Sequence, residues 1–128
     1  MSELPVERLM STDLLTVESD ASAALAAQRM LDDGKSSVLV VDEDDQLSGL
    51  ITATDFVRLV RQNDPNDETP VSAFMTRDVV TVGPDDTIEE LAAPTAHGYT
   101  HLPVIDERGG LIGMISTTDL TAYVSGKR

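Results

Sequence analysis

The chain has 128 residues, 41% of them hydrophobic, enough for a domain-sized apolar core and more than a disordered sequence carries. Its 23 acidic residues against 9 basic ones give a formal net charge of -14, which disfavours sequence-independent binding to nucleic acid or to an anionic membrane. Absence of Cys excludes disulfides and thiolate metal sites.

Self-repulsion at this charge calls for screening by salt. With Lys35 and Lys127 the only lysines, the balance resembles that of halophilic proteins. The start, Met1-Ser2-Glu3-Leu4-Pro5, is acidic and has no apolar run, and no stretch is long enough to span a bilayer. The expected location is cytoplasmic.

The chain repeats itself. Val6, Met10, Thr16, Val17 and Asp20 match Val71, Met75, Thr81, Val82 and Asp85 at a spacing of 65. Gly34, Val40, Asp42, Leu47, Gly49, Ile51, Thr54 and Asp55 then match Gly98, Val104, Asp106, Leu111, Gly113, Ile115, Thr118 and Asp119 at 64. One residue is lost between Asp85 and Gly98, and the order holds on both sides, so two copies of one supersecondary unit are expected.

In chain order, Val6 to Met10 reads as a short apolar helical turn, and Leu14 to Val17 as a brief extended segment. Ser19 and Asp20 offer an N-cap to a helix from about Ala21 to Asp33, closed by Gly34, with Ala23, Leu25, Ala26, Met30 and Leu31 as its apolar face. The β-branched run Ser37 to Val41 suits a buried strand, and Leu47 to Thr52 returns as its hairpin partner. Asp42-Glu43-Asp44-Asp45-Gln46 is the turn. It does not continue as a calcium loop, since Leu47 stands where Gly is needed and Ala53 where the bidentate Glu belongs. Asp55 to Val60 reads as a helix, apolar at Phe56, Leu59 and Val60.

The segment 62–70 is polar and holds Pro65, a linker by composition. The second copy repeats the pattern from Val71 to Met75 and from Val79 to Val82. Pro94 then interrupts its long helix, which is expected to stop near Ala93 or run irregularly to His97. His97 and His101 are four apart, but Gly98 and the strand that follows break a helical metal pair, so no metal site is expected. No Gly-rich phosphate loop and no nucleophile–base pair stands out, and enzyme activity is not expected.

A buried strand ending in Pro-Val-Ile-Asp, followed by Gly-hydrophobic-hydrophobic-Ser/Thr-x-x-Asp, resembles the cystathionine-β-synthase (CBS) motif. The second copy carries His101-Leu102-Pro103-Val104-Ile105-Asp106 and Gly113-Met114-Ile115-Ser116-Thr117-Thr118-Asp119. The first carries Val38-Leu39-Val40-Val41-Asp42 and Gly49-Leu50-Ile51-Thr52-Ala53-Thr54-Asp55.

The resemblance implies an α/β (α+β) fold. Residues 1–128 would form one module of two β-α-β-β-α motifs, 6–61 and 71–124, with the linker 62–70 between them. The motifs would pack about a pseudo-twofold axis, with small mixed sheets flanked by helices. It further implies a regulatory module, often a homodimer, that binds AMP, ADP, ATP or S-adenosylmethionine between its motifs and modulates a protein partner. A scaffold that has lost nucleotide binding is the alternative.

By the same resemblance Asp55 and Asp119 would bind ribose. Read as residues alone, Thr52-x-x-Asp55 and Ser116-x-x-Asp119 fit a helix capping box equally well. Thr52, Thr54, Ser116, Thr118 and His101 would face phosphate or ribose. Thr16, Ser36, Ser37, Thr81, Thr100 and Pro103 would surround adenine. No basic residue stands in either Thr/Ser-x-x-Asp segment, which favours AMP or the cationic S-adenosylmethionine over a triphosphate. No cofactor is required.

Overall fold

The computed structural model describes residues 4–62 and 67–126. The chain divides into two compact units, Leu14–Val79 and Met1–Asp13 with Val80–Arg128. These are not the two sequence repeats. The segment that leads into each repeat completes the core of the unit formed by the other.

In the unit Leu14–Val79, β1 (Thr16–Glu18) lies parallel to β2 (Ser37–Val41), and β2 pairs antiparallel with β3 (Leu47–Thr52). Val38, Val40 and Ile51 are fully buried and meet Val17 from β1. Helix α1 (Ala23–Asp33) packs Ala26 and Met30 against this layer. Its buried positions 23, 26 and 30 are spaced three and four apart, so they share one stripe. Leu25 and Leu31, expected on that stripe, fall off it and are 42% and 78% exposed.

Helix α1 begins two residues later than expected. Ser22, not Ser19 or Asp20, is the cap, and its side chain accepts a hydrogen bond from Leu25 N at 3.1 Å. Ser19 and Asp20 instead form a turn, in which Ala21 N donates to the Glu18 carbonyl at 3.0 Å, and Ser22 is held extended by a bridge to Pro70. Beyond it, Ala23 N and Ala24 N donate to the carbonyls of Thr69 and Asp67, so the end of the connecting segment satisfies the first helical donors. Residues 63–66 of the expected linker lie outside the described residues. Gly34 closes the helix at φ 64, the left-handed conformation that glycine adopts without strain.

The core is sealed by a 3₁₀ turn at Val71–Ala73. Val71 is fully buried, Met75 nearly so, and Phe74 meets Phe56 edge-on with ring centroids 5.3 Å apart. Met75 fits because residue 49 is glycine. A Cβ there would stand 2.6 Å from Met75 Sδ and 2.9 Å from the Thr76 carbonyl oxygen. Helix α2 (Ala53–Arg61) follows β3 and buries Leu59, while Val60, expected to be apolar and inward, is 62% exposed.

The other unit is built on the same plan with material from both ends of the chain. Strands β4 (His101–Ile105) and β5 (Leu111–Ser116) form an antiparallel pair, with a bulge between Val104 and Ile105 that repeats the one between Val40 and Val41. Leu102, Val104, Ile115 and Leu91 join Val6 in one buried cluster, with Leu9 and Met10 packed on it. Met10 lies over Gly113 as Met75 lies over Gly49. Ser11 and Met114 exchange backbone hydrogen bonds of 2.8 and 2.9 Å, as Thr76 and Leu50 do in the first unit.

Two local differences have identifiable causes. Leu39 N donates to the Leu15 carbonyl at 2.9 Å beside β1. The residue matching Leu39 is Pro103, which has no N–H to donate to Val80. The expected extended segment Val79–Val82 accordingly contracts to a single bridge, Val82 to Val104. The second long helix becomes a 3₁₀ turn, Ile88–Leu91, followed by the short α3 (Ala92–Ala96) with Pro94 inside it. This is the irregular course to His97 expected from Pro94, whose ring nitrogen cannot donate to the carbonyl one turn back. Helix α4 (Thr117–Ser125) ends at Gly126. No helix among the described residues is long and apolar enough to cross a membrane.

The exchanged lead-in segments give a direct test. Val6→Ala removes two buried methyl groups and is expected to cost about 2 kcal/mol. Native-state hydrogen exchange should show the loss of protection first at β4 and β5, not at β2 and β3. The reverse order would mean that Val6 supports its own repeat.

Candidate functional site

The two Ser/Thr-x-x-Asp segments start α2 and α4, and both form capping boxes. In α4 both arms are hydrogen-bonded: Asp119 N donates to Ser116 Oγ at 3.3 Å, and Ser116 N donates to Asp119 Oδ2 at 2.8 Å. Ser116 Oγ also donates to Oδ2 at 3.1 Å. In α2 the carboxylate arm is the short one, Thr52 N to Asp55 Oδ2 at 2.9 Å. Boxes of this kind satisfy donors that a helix start otherwise leaves open. The capping role that the residues alone allowed is therefore realised at both positions.

The two acids differ in everything else. Asp55 is 1% exposed. Its Oδ1 accepts from Thr76 Oγ1 at 2.9 Å and from Arg58 Nη1 at 3.0 Å, while Oδ2 serves the cap. Asp119 is only half-buried, and its bonds from Ser116 N and Oγ both fall on Oδ2. The position matching Arg58 is Ala122, and the one matching Thr76 is Ser11, which is exposed.

Around Asp119 the expected neighbours do gather. His101 pairs with Ser116 across the β4–β5 ladder. Its Nδ1 lies 3.0 Å from Thr100 Oγ1. Burial lowers the His101 pKa from the usual histidine value, and the charge of Asp119 opposes that shift without cancelling it. Thr100 also spends its carbonyl on Thr117 N, the first donor of α4, at 3.0 Å. With Asp119 N held by Ser116 Oγ, the α4 start offers fewer donors to a phosphate than a bare helix end. Thr118 is exposed next to it. Pro103 is buried in mid-strand and accepts from Val82 N, which places Thr81 alongside.

In the unit Leu14–Val79, Ser37 pairs with Thr52, so Ser36, Ser37, Thr52, exposed Thr54 and Asp55 collect at one end of the sheet. Thr16 pairs with Leu39 farther along β2 and instead lines a hollow of about 440 Å³ with Glu18, Asp20, Arg29, Val41 and Asp45. A smaller one of about 380 Å³ in the other unit is lined by Gly83, Pro84, Asp85, Asp86, Ile105, Asp106 and Glu107. Each opens at the strand end remote from Asp55 or Asp119, so neither contains the carboxylates. The acidic turn Asp42–Gln46 is held by Asp42 itself, whose Oδ1 accepts from Asp44 N and Gln46 N. Sequence reasoning missed Thr76 and Arg58. An Arg three residues after an Asp in a helix is a readable signal; nothing in the order of residues points to Thr76.

Residues 6–62 and 71–126 each match the CBS domain family. The chain belongs to that family. It is similar to a homoserine O-acetyltransferase of Methanosalsum zhilinae, 32% identical over 129 aligned positions that span all of this chain and 25% of the relative. The chain thus spans about a quarter of the length of that relative. Among solved structures it resembles an uncharacterized conserved protein from Pyrococcus horikoshii, with TM-score 0.87 and 25% identity, covering 100% of this chain and 96% of that one. It also resembles the CBS domain pair of protein MJ0100 in complex with 5′-methylthioadenosine and S-adenosyl-L-methionine. There the TM-score is 0.86 and the identity 25%, with 98% of each chain covered. The mixed α and β architecture with small sheets is that of CBS domain pairs.

A pH dependence follows from His101. Its folded pKa lies below the unfolded value, so the unfolded chain binds more protons as acid is added. The His101 contribution to stability is complete above the unfolded value of about 6.5 and declines as pH falls toward the folded value. Denaturant midpoints of His101→Gln measured between about pH 7.5 and 5.5 should therefore fall less steeply than those of the unaltered chain. Parallel curves would show that His101 is not the titrating group.

Proposed function

We propose that this CBS pair is a non-catalytic regulatory module that binds an adenosyl compound beside Asp119 and passes the bound state to a protein partner. The observation that carries the reading is the half-buried Asp119 carboxylate at the start of α4, next to His101, Thr100 and Ser116. A carboxylate so placed can accept hydrogen bonds from both hydroxyls of a ribose, and charge-assisted bonds are the stronger kind. The bound ligands of the MJ0100 domain pair, both adenosyl compounds, support the same chemistry.

Charge selects among adenosyl ligands. The chain carries a formal net charge of -14, and burial keeps His101 toward its neutral form. Two donors at the α4 start are already spent. This setting favours the sulfonium of S-adenosylmethionine, or the single phosphate of AMP, over a triphosphate. Thr118 and Ser116 would meet the ribose or phosphate, and Thr81, Thr100 and Pro103 the base.

Val57 and Val60 on α2 are 66% and 62% exposed, and in the other unit Val124 on α4 is 84% exposed; exposed apolar side chains of this kind on each unit support self-association as a homodimer. The match to one quarter of a larger enzyme supports a protein partner, joined or separate. Any effect on that partner is bounded by the difference in ligand affinity between the two states of the module.

Calorimetry in high salt with S-adenosylmethionine, AMP and ATP tests the reading. S-adenosylmethionine or AMP should bind more tightly than ATP, and Asp119→Ala should weaken binding by about tenfold to a hundredfold. Silence from all three up to millimolar concentration refutes it.

A further inference from the structure

We infer that the two CBS motifs are not equivalent sites: Asp55 is a structural acid pinned by Thr76 and Arg58, and the chain holds one adenosyl ligand, at Asp119. This rests on the adenosyl reading above. Its basis is the hydrogen-bond inventory of the two carboxylates. A ribose diol needs a carboxylate oxygen that can be reached and that is not already saturated. At Asp55 both oxygens are engaged and the side chain is out of reach, being 1% exposed with Oδ2 on Thr52 N and Oδ1 filled by Thr76 Oγ1 and Arg58 Nη1.

The pins come from two directions. Arg58 reaches back from the next turn of α2, and Thr76 comes from the lead-in segment of the second repeat, 21 residues on. Thr76 is itself fixed, since its N and O both bond to Leu50 at 2.8 and 2.9 Å. To reach Asp55, a ligand would have to displace a hydroxyl anchored in a backbone ladder and break an ion pair with a buried carboxylate. Arg58 is itself 60% exposed and can swing aside, so the heavier obstacle is Thr76: a buried carboxylate that loses its hydroxyl donor is left with a costly unmet charge. At Asp119 neither obstacle is built in: Ala122 replaces Arg58, exposed Ser11 replaces Thr76, and the residue is only half-buried.

The difference also assigns a role to the first motif. Asp55 ties α2, β3 and the Met75–Thr76 segment together through one side chain, so it stabilises the unit in which it sits. Among the described residues Asp119 hydrogen-bonds only to its own cap, Ser116, and acts on His101 through its charge alone.

Two measurements on the full chain test this. Titration calorimetry with S-adenosylmethionine should give one ligand per chain, and Asp119→Asn should weaken that one binding event by about tenfold to a hundredfold, with no site of unaltered affinity left behind. Two ligands per chain, or half of the sites surviving in Asp119→Asn, would overturn the single-site assignment and leave the adenosyl reading standing. No heat from any adenosyl ligand would overturn both. The second measurement needs no ligand. In urea unfolding, Asp55→Asn should raise the unfolding equilibrium constant more than about a hundredfold and Asp119→Asn by about tenfold. Thr76→Val should add little once Asp55 is already Asn. Equal effects of the two Asp substitutions, or full additivity with Thr76→Val, would show that Asp55 is not pinned. If Asp55→Asn fails to fold, Thr76→Val and Arg58→Ala alone, each expected to destabilise, carry the same comparison.

Discussion

The fold depends on a packing constraint that neither repeat meets by itself. Each sheet-and-helix layer leaves one side of its buried strands uncovered, and the cover is a 3₁₀ turn supplied from elsewhere in the chain. Val71 and Met75 close the layer of Val38, Val40 and Ile51, while Val6 and Met10 close that of Leu102, Val104 and Ile115. Both covers seat a methionine over a glycine, Gly49 or Gly113, where a Cβ would collide. Because apolar burial is the dominant favourable term in folding, this exchange makes residues 4–13 as much a part of the second unit as its own strands. It also brings Thr76 to Asp55, so the packing device and the chemistry of the candidate site are one arrangement.

The candidate site shows how local capping and ligand binding draw on the same atoms. A Ser/Thr-x-x-Asp start spends one carboxylate oxygen on the helix and leaves the other for whatever lies nearby. At α2 the neighbours are protein groups, Arg58 and Thr76. At α4 the residues in those positions are Ala122 and Ser11, and burial is incomplete. Identical motifs therefore give a cross-link in one place and a half-open carboxylate in the other. The distinction lies in residues outside the motif.

Much of this was legible in the sequence, for physical reasons. Glycines, methionines and aspartates recur at fixed offsets because close contacts and helix starts demand them, and the repeat, the hairpins and the disturbance at Pro94 all follow. Three features were not legible. A repeat shows which residues correspond but not which unit each packs on, so the exchange of lead-in segments stayed hidden. The cap of α1 shifted from Ser19 or Asp20 to Ser22 because Pro70, distant in sequence, bridges it. Leu25 and Leu31 were read into the apolar stripe, although only positions 23, 26 and 30 face the sheet. The pinning of Asp55 was half visible, through Arg58 but not through Thr76.

Pro103 has an effect beyond shortening its sheet. A two-stranded ribbon has two rims, and free rims invite other chains to dock by main-chain pairing and grow into aggregates. Here one rim is occupied by Ser11 on Met114, and the other by Val82 between Pro103 and Ile105. Next to Val82, the proline ring removes the donor that an incoming strand would need. The residue that costs this unit a strand thereby blunts the rim from which fibre-like stacking would start.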